Sequence, residues 1–246
     1  MPANERRKMQ KRERALAASC PVMARVVAAA GRCTLAPRLE RSPFESLARA
    51  IAHQQLNGVV AERILGRFTA LYAPAAFPTP EQLLATDDAA LRAAGFSFGK
   101  IAALRDLAAK VHEGVVPAAH ELPALADEEI VARITQVRGI GRWTVEMMLM
   151  FQLGRADVLP VDDFGVCNGF RLAYGLRGMP RPKALAKFGE RWAPERTLAA
   201  WYLWRAVDLH RAGKLPAPRG KPPRVAQVKK KAAKRPARKP ARKRAT

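Results

Sequence analysis

Pro160-Val161-Asp162-Asp163 sets two carboxylates side by side at the start of a helical pattern, and Gly139-Ile140-Gly141 lies upstream between two other such patterns. A carboxylate at a turn of this kind has two uses. It can cap the helix by accepting backbone N–H bonds, or it can face a developing positive charge and orient a water. Two adjacent acids allow one of each. The Gly-Ile-Gly segment is suited to gripping a phosphate. Glycine opens backbone angles closed to other residues, and the unpaired amides of the next helix's first turn form an anion site aided by the helix dipole. Ile140 is expected to point inward and pin the turn. A Gly-x-Gly between helices is also an ordinary tight αα-turn, but the flanking Arg138 and Arg142 point toward a nucleic-acid backbone. Binding through amides there would be largely independent of base sequence.

Charge supports a polyanionic partner. The chain has 246 residues, 44 Lys and Arg, 21 Asp and Glu, and a formal net charge of +23. Residues 214–246 hold 14 of the basic residues and none of the acids. That Lys/Arg/Pro/Ala-rich segment is expected to be disordered, because its composition cannot build a core. Residues 1–14 read as a basic N-terminal arm, and residues 15–213 as the folded domain. The three cysteines, Cys20, Cys33 and Cys167, have no metal-ligand spacing, and a four-thiolate iron–sulfur cluster is impossible within one chain. The four histidines are scattered, so no metal site and no cofactor is expected. No run long and apolar enough for a transmembrane helix or a signal peptide occurs, which points to a cytoplasmic protein with no membrane partner.

The elements that must position the acids and the hairpin are helical almost throughout. Ser42-Pro43-Phe44-Glu45 and Thr79-Pro80-Glu81-Gln82 are helix starts. Phe44, Leu47, Ile51, Val59, Ile64 and Phe68 recur at helical spacing. Thr86-Asp87-Asp88 opens a short helix ending near Gly95, and 100–112 is amphipathic. The hairpin comprises residues 127–153, with acids at the front of its first helix. Residues 164–176 and 184–212 are helical in pattern. Residues 31–40 are the segment where a short strand is conceivable. The expected class is all-α.

At this point the motifs become specific. VRGIGRWTVEMMLMF followed by VLPVDDFGV resembles the helix-hairpin-helix DNA glycosylases, with their Gly-rich and Pro-Asp signature. FESLARAIAHQQLNGVVAERI (44–64) and RWAPERTLAAWYLWRAVD (191–208) are similar to the alkylation-repair branch, the DNA-3-methyladenine glycosylase II family. The resemblance spans roughly residues 40–210. Asn57, where the family more often has Ser, and Arg138, where it often has Pro, depart from the pattern. The resemblance implies a two-lobed helical fold with a cleft between the lobes. It implies double-stranded DNA containing alkylated bases as the partner, and a monomeric, nucleoid-associated enzyme that hydrolyses the N-glycosidic bond of a flipped alkylated purine. The family spacing from the hairpin assigns the catalytic role to Asp163 rather than Asp162. In lyase-type relatives a Lys follows the hairpin; here Trp143 stands there and cannot form a Schiff base. That implies a monofunctional enzyme leaving an abasic site.

Base flipping needs a wedge and a pocket. Gln54-Gln55-Leu56-Asn57 resembles the family's wedge segment, with Leu56 as the intercalating side chain and Gln55 beside it at the DNA. Leu56 also fits a core position on a helix. Trp143 is the first expected pocket residue, followed by Met147 and Phe98, with Trp201 and Trp204 as further candidates; at helical spacing most of the last four also suit the core. Lys100 is expected to meet a phosphate in a second loop, while Arg138, Gly139, Ile140, Gly141, Arg142 and Thr144 line the hairpin contact. The rival reading is a non-catalytic DNA-binding protein in which both acids only cap.

Overall fold

The computed structural model describes residues 3–38, 40–218 and 221–228. Twelve α-helices are found among the described residues, and no strand beyond one isolated bridge between Pro180 and Gln227. The expected all-α class holds, and the 31–38 stretch is irregular rather than a strand.

One lobe is built from α3 (Pro43–His53), α4 (Gly58–Ala70), α5 (Pro80–Ala85), α6 (Asp88–Ala94) and α7 (Phe98–His112). Their starts are fixed by local chemistry. Ser42, Asn57, Thr79 and Ser97 each accept a backbone N–H from the first turn, and Thr79 with Gln82 closes a full capping box. The apolar stripe of α3 (Phe44, Leu47, Ala48, Ile51) is buried against α7 and α4. Phe68 sits at the centre of this lobe, in edge-on contact with Tyr72, Phe77 and Phe96.

The other lobe joins the two ends of the chain. Here α1 (Ala3–Ser19) and α2 (Pro21–Ala30) pack with α12 (Arg196–Arg211), and α12 crosses α10 (Phe164–Ala173). Residues 1–14 are therefore not a separate arm where they are described. They form the front of α1, whose Arg12 bonds Glu195 at 2.5 Å and whose Glu13 is buried, accepting from Tyr202 Oη and the Cys33 amide. The crossing of α10 and α12 depends on Gly169: a Cβ there would lie 1.9 Å from the Leu203 carbonyl oxygen. Between the lobes run α8 (Asp127–Ile134) and α9 (Arg142–Phe151), the two helices of the hairpin, and α11 (Pro182–Gly189) closes the far side.

Past α12 the chain does not simply leave the fold. Residues 221–228 lie extended against residues 178–181, with Arg181 donating to the Ala226 carbonyl and Val228 to that of Met179, both at 2.8 Å. These residues belong to the segment 214–246, for which disorder is expected from composition. Residues 229–246, to which the same expectation applied, lie outside the described residues.

Candidate active site

Asp163 is the N-cap of α10, and its Oδ1 accepts the Val166 amide at 2.7 Å. The same oxygen accepts Trp204 Nε1 at 2.8 Å, and Oδ2 accepts Trp143 Nε1 at 2.8 Å. The division of labour expected for the two acids is thus corrected. Capping falls on Asp163, the same carboxylate that the two indoles hold, while Asp162 is exposed and lines a groove with Arg142 and Glu146. The physical reason is that a carboxylate has two oxygens. Oδ1 has both of its lone pairs engaged by the amide and the Trp204 indole, whereas Oδ2 retains one. The working edge of this carboxylate is therefore Oδ2, beside the half-exposed Trp143.

Each partner is delivered by a different element. Trp143 is on the first turn of α9, directly after the hairpin. Trp204 comes from the middle of α12 and is stacked on Phe151 of α9, with centroids 5.7 Å apart. Its approach is permitted by Gly165, where a Cβ would stand 2.7 Å from Trp204 Cδ1, 2.9 Å from Nε1 and 3.1 Å from Asp163 Oδ1. By its spacing Trp204 suits the core as well as a pocket wall. The signal that could have exposed its role is the polar tip of the indole, because a buried Trp N–H usually needs an acceptor.

Phe151 leads from this cluster into a cleft of about 580 Å³ between the lobes. Its walls include Thr144, Met147 and Met148 of α9, Arg49 of α3, Arg38 of the irregular segment and Trp201 of α12. Met147 and Thr144 thus line a space connected to Asp163 through the stacked Phe151 and Trp204 rings, although Thr144 is buried and not at the hairpin surface. Phe98 does not line the cleft. It is 69% exposed at the start of α7, with the Arg92 guanidinium 4.5 Å above its ring.

In the hairpin, Gly139 has φ +76, so the turn requires glycine there. The expectation that Gly141 is also needed for its backbone angles is corrected. Its φ is −99, open to any residue, and nothing lies within 4 Å of where its Cβ would be. What Gly141 supplies is a bare outward surface at the N-cap of α9. The amides of Gly141, Arg142 and Trp143 precede that helix's first hydrogen-bonded turn, which begins with Thr144 and Val145 donating to the Gly141 carbonyl. Ile140 is buried and pins the turn, so its contribution at the surface is limited to backbone. Arg138 is exposed, and its amide donates to Asp106 Oδ2 at 2.7 Å. Arg142 is engaged within the hairpin: its guanidinium forks onto Glu128 and lies 3.7 Å from Glu146. Glu146 itself is buried, and burial pushes its carboxyl up to about 7, with Arg142 opposing.

The α3–α4 turn is tied to the hairpin. Gln54 Nε2 donates to the Gly139 carbonyl at 2.9 Å. Beyond it Gln55 takes φ +58, and Leu56 is 39% exposed at the tip, which excludes the core position for Leu56. Lys100 is partly buried, and its Nζ donates to the Ala52 carbonyl at 2.7 Å, near the last turn of α3. The structure thus gives Lys100 a helix-joining contact rather than a free outward ammonium, and burial lowers its pKa.

Residues 48–195 match the family described as the HhH-GPD superfamily of base excision DNA repair proteins. This chain belongs to that superfamily. It is 43% identical over 170 residues to DNA-3-methyladenine glycosylase 1 of Schizosaccharomyces pombe, covering 69% of this chain and 75% of the relative. It is 32% identical over 175 residues to the putative DNA-3-methyladenine glycosylase YfjP of Bacillus subtilis, over 69% of this chain and 61% of that one. The solved S. pombe 3-methyladenine DNA glycosylase Mag1 in complex with abasic DNA superposes with a TM-score of 0.71 at 40% identity, covering 79% of this chain and 95% of that one. A DNA-3-methyladenine glycosidase from Bacillus halodurans gives 0.68 at 35% identity, over 78% and 92%. The matched residues include the hairpin, Trp143, Phe151 and the Asp163 turn, while Trp204 lies beyond them.

Proposed function

We propose that this chain is a monofunctional base-excision repair glycosylase. It hydrolyses the N-glycosidic bond of alkylated purines in double-stranded DNA, with Asp163 beside the sugar of the flipped nucleotide. The observation that carries the reading is the carboxylate of Asp163, fixed by an amide and two indole N–H groups, one from Trp143 directly after the hairpin and one from Trp204, whose ring is stacked on Phe151 of the cleft wall. As the bond to the base breaks, positive charge develops at C1′. Opposite unit charges about 4 Å apart attract by roughly 4 kcal/mol at an effective dielectric near 20, or about a thousandfold in rate. The remaining lone pair on Oδ2 can also hold the attacking water. An alkylated purine is already cationic and leaves with little acid assistance. Trp201 and the two methionines of the cleft suit such a base by stacking and dispersion, while Arg38, Arg41 and Arg49 in the same walls oppose its charge.

The hairpin amides grip the phosphate backbone, Leu56 fills the gap left by the flipped base, and Trp143 stands where a Schiff-base lysine would be needed for strand cleavage. The enzyme acts as a monomer on the DNA of the cytoplasm. No described helix is long and apolar enough to cross a membrane.

The deciding experiment is release of free bases from methylated DNA, identified by chromatography, for wild type and Asp163→Asn in parallel. Asp163→Asn should lose most of the activity, on the order of a thousandfold, while still binding duplex DNA that carries an abasic analogue. Unchanged turnover in that variant would remove Asp163 from the chemistry. No release by the wild type would favour the non-catalytic DNA-binding reading.

A further inference from the structure

We propose that Gln54 is a positioning residue for base flipping. With Lys100 and Asp106 of α7 it fixes the distance between the wedge at Leu56 and the hairpin that grips the strand. The proposal rests on the glycosylase reading above and deepens its flipping step.

Three residues of α7 hold the two parts from one side. Lys100, Ala103 and Asp106 recur every three positions, so they share a face of the helix. Lys100 Nζ donates to the Ala52 carbonyl at 2.7 Å. That carbonyl is in the last turn of α3, where a helix leaves its carbonyls without donors. The Leu56 amide, which would reach it in a longer helix, bonds the His53 carbonyl instead. Ala103 lies against the hairpin: a Cβ on Gly139 would stand 3.8 Å from the Ala103 Cβ. Asp106 Oδ2 accepts the Arg138 amide at 2.7 Å. One end of this face therefore holds the end of α3, and the other holds the hairpin.

Gln54 closes the link directly, with its Nε2 on the Gly139 carbonyl at 2.9 Å. The turn that follows is itself anchored on both sides. Before it, His53 Nε2 lies 3.1 Å from Glu62 Oε1 of α4; after it, Asn57 accepts the Val60 amide at 2.9 Å. Between them Gln55 takes φ +58, the one positive φ outside glycine among the described residues. Such a conformation costs free energy and persists where its surroundings over-determine it. Leu56 is thus held out in solvent before DNA arrives, and it loses little freedom on entering the gap left by the flipped base. Binding energy gained at the hairpin reaches the wedge only if the two move as one body.

Single-turnover release of 7-methylguanine tests the coupling, from one duplex with the lesion opposite cytosine and another with it opposite thymine. A mismatched base costs less to extrude, so the position of the wedge should matter more in the matched duplex. Gln54→Met keeps the length of the side chain and removes the donor. The matched-to-mismatched rate ratio should fall about two- to tenfold. Gln54→Glu sets a carboxylate against the carbonyl and should lower the ratio further, while Lys100→Met should lower it in the same direction. The double variant Gln54→Met with Leu56→Ala should match Leu56→Ala alone, because Gln54 acts only through the wedge. Equal losses in both duplexes, or full additivity in the double variant, would overturn the proposal. A readout without turnover separates it from the glycosylase reading. The fluorescence of 2-aminopurine opposite a tetrahydrofuran abasic analogue changes when a side chain fills the gap. At saturating protein the change should be smaller for Gln54→Met than for wild type, and an undiminished change would also overturn the proposal. No base release by the wild type would sink the glycosylase reading, while the fluorescence would still decide the role of Gln54.

Discussion

At the scale of single residues, the Asp163 carboxylate is set by neighbours that carry no charge. Two indoles and one amide hold it, and a missing methyl at Gly165 lets one of the indoles in. Hydrogen bonds to an ionised group are worth roughly 1.5–3 kcal/mol, so losing the Trp204 N–H should cost about ten- to a hundredfold in single-turnover excision. Trp204→Phe keeps a ring against Phe151 and removes only the donor. Gly165→Ala should produce a similar loss by pushing the indole away. The two changes should not add, because both break the same contact. Single-turnover rates for the singles and the double measure this, and full additivity would show that Gly165 and Trp204 act separately. Affinity for a duplex with a cationic pyrrolidine abasic analogue should fall in both variants, while affinity for the neutral tetrahydrofuran analogue should hold. An equal fall for both analogues would mean that the pocket, rather than the carboxylate, had been disturbed.

At the scale of elements, the hairpin carries a buried acid with a different consequence. Glu146 is raised to about 7 by burial from an ordinary value of 4.5, with Arg142 opposing and Asp162 and Glu128 adding to the rise. A folded-state pKa above the unfolded one means that the folded state binds the extra proton between those limits. Stability from this group is complete below about pH 4.5 and is lost as pH rises through about 7, a change on the order of 3 kcal/mol. Glu146→Gln should therefore flatten the dependence of Tm on pH between 4.5 and 7 and melt higher than wild type at pH 8. Parallel melting curves across that range would refute it. The helices themselves were largely legible in the sequence, because Ser42 and Thr79 announce their starts and the apolar spacing of Ile130, Val131 and Ile134 gives the inward face. The Asp163 turn and the exposed Leu56 tip were legible through motif spacing. Trp204, Gly165 and the seating of residues 221–228 on residues 178–181 were not, for one physical reason. Each acts through a contact between residues far apart in the chain, and local propensity says nothing of what lies opposite a given helix face. Lys100 and Phe98 were read from their types, which suit DNA and a base, and their surroundings were not legible: the Lys100 ammonium sits on the Ala52 carbonyl and the Phe98 ring under Arg92.

At the scale of the whole molecule, Asp163 and Trp204 meet only because α10 and α12 cross closely, one bringing the acid at its cap and the other the indole from its middle. That crossing has no slack at Gly169, whose Cβ position is 1.9 Å from a backbone carbonyl that cannot rotate away. Gly169→Ala must move the two helices apart, and overpacking against backbone costs about 3 kcal/mol or more. For a chain of this size that corresponds to a fall in Tm of roughly 6–12 °C. The larger consequence is functional. Separating the helices lengthens the Trp204–Asp163 contact without touching a residue that faces the cleft. At a temperature where Gly169→Ala remains folded by circular dichroism, it should lose excision rate and keep its affinity for the neutral abasic analogue, matching Trp204→Phe. Normal excision by the folded variant would mean that the α10–α12 spacing does not set the position of the carboxylate, and the link from packing to chemistry argued for this lobe would fail.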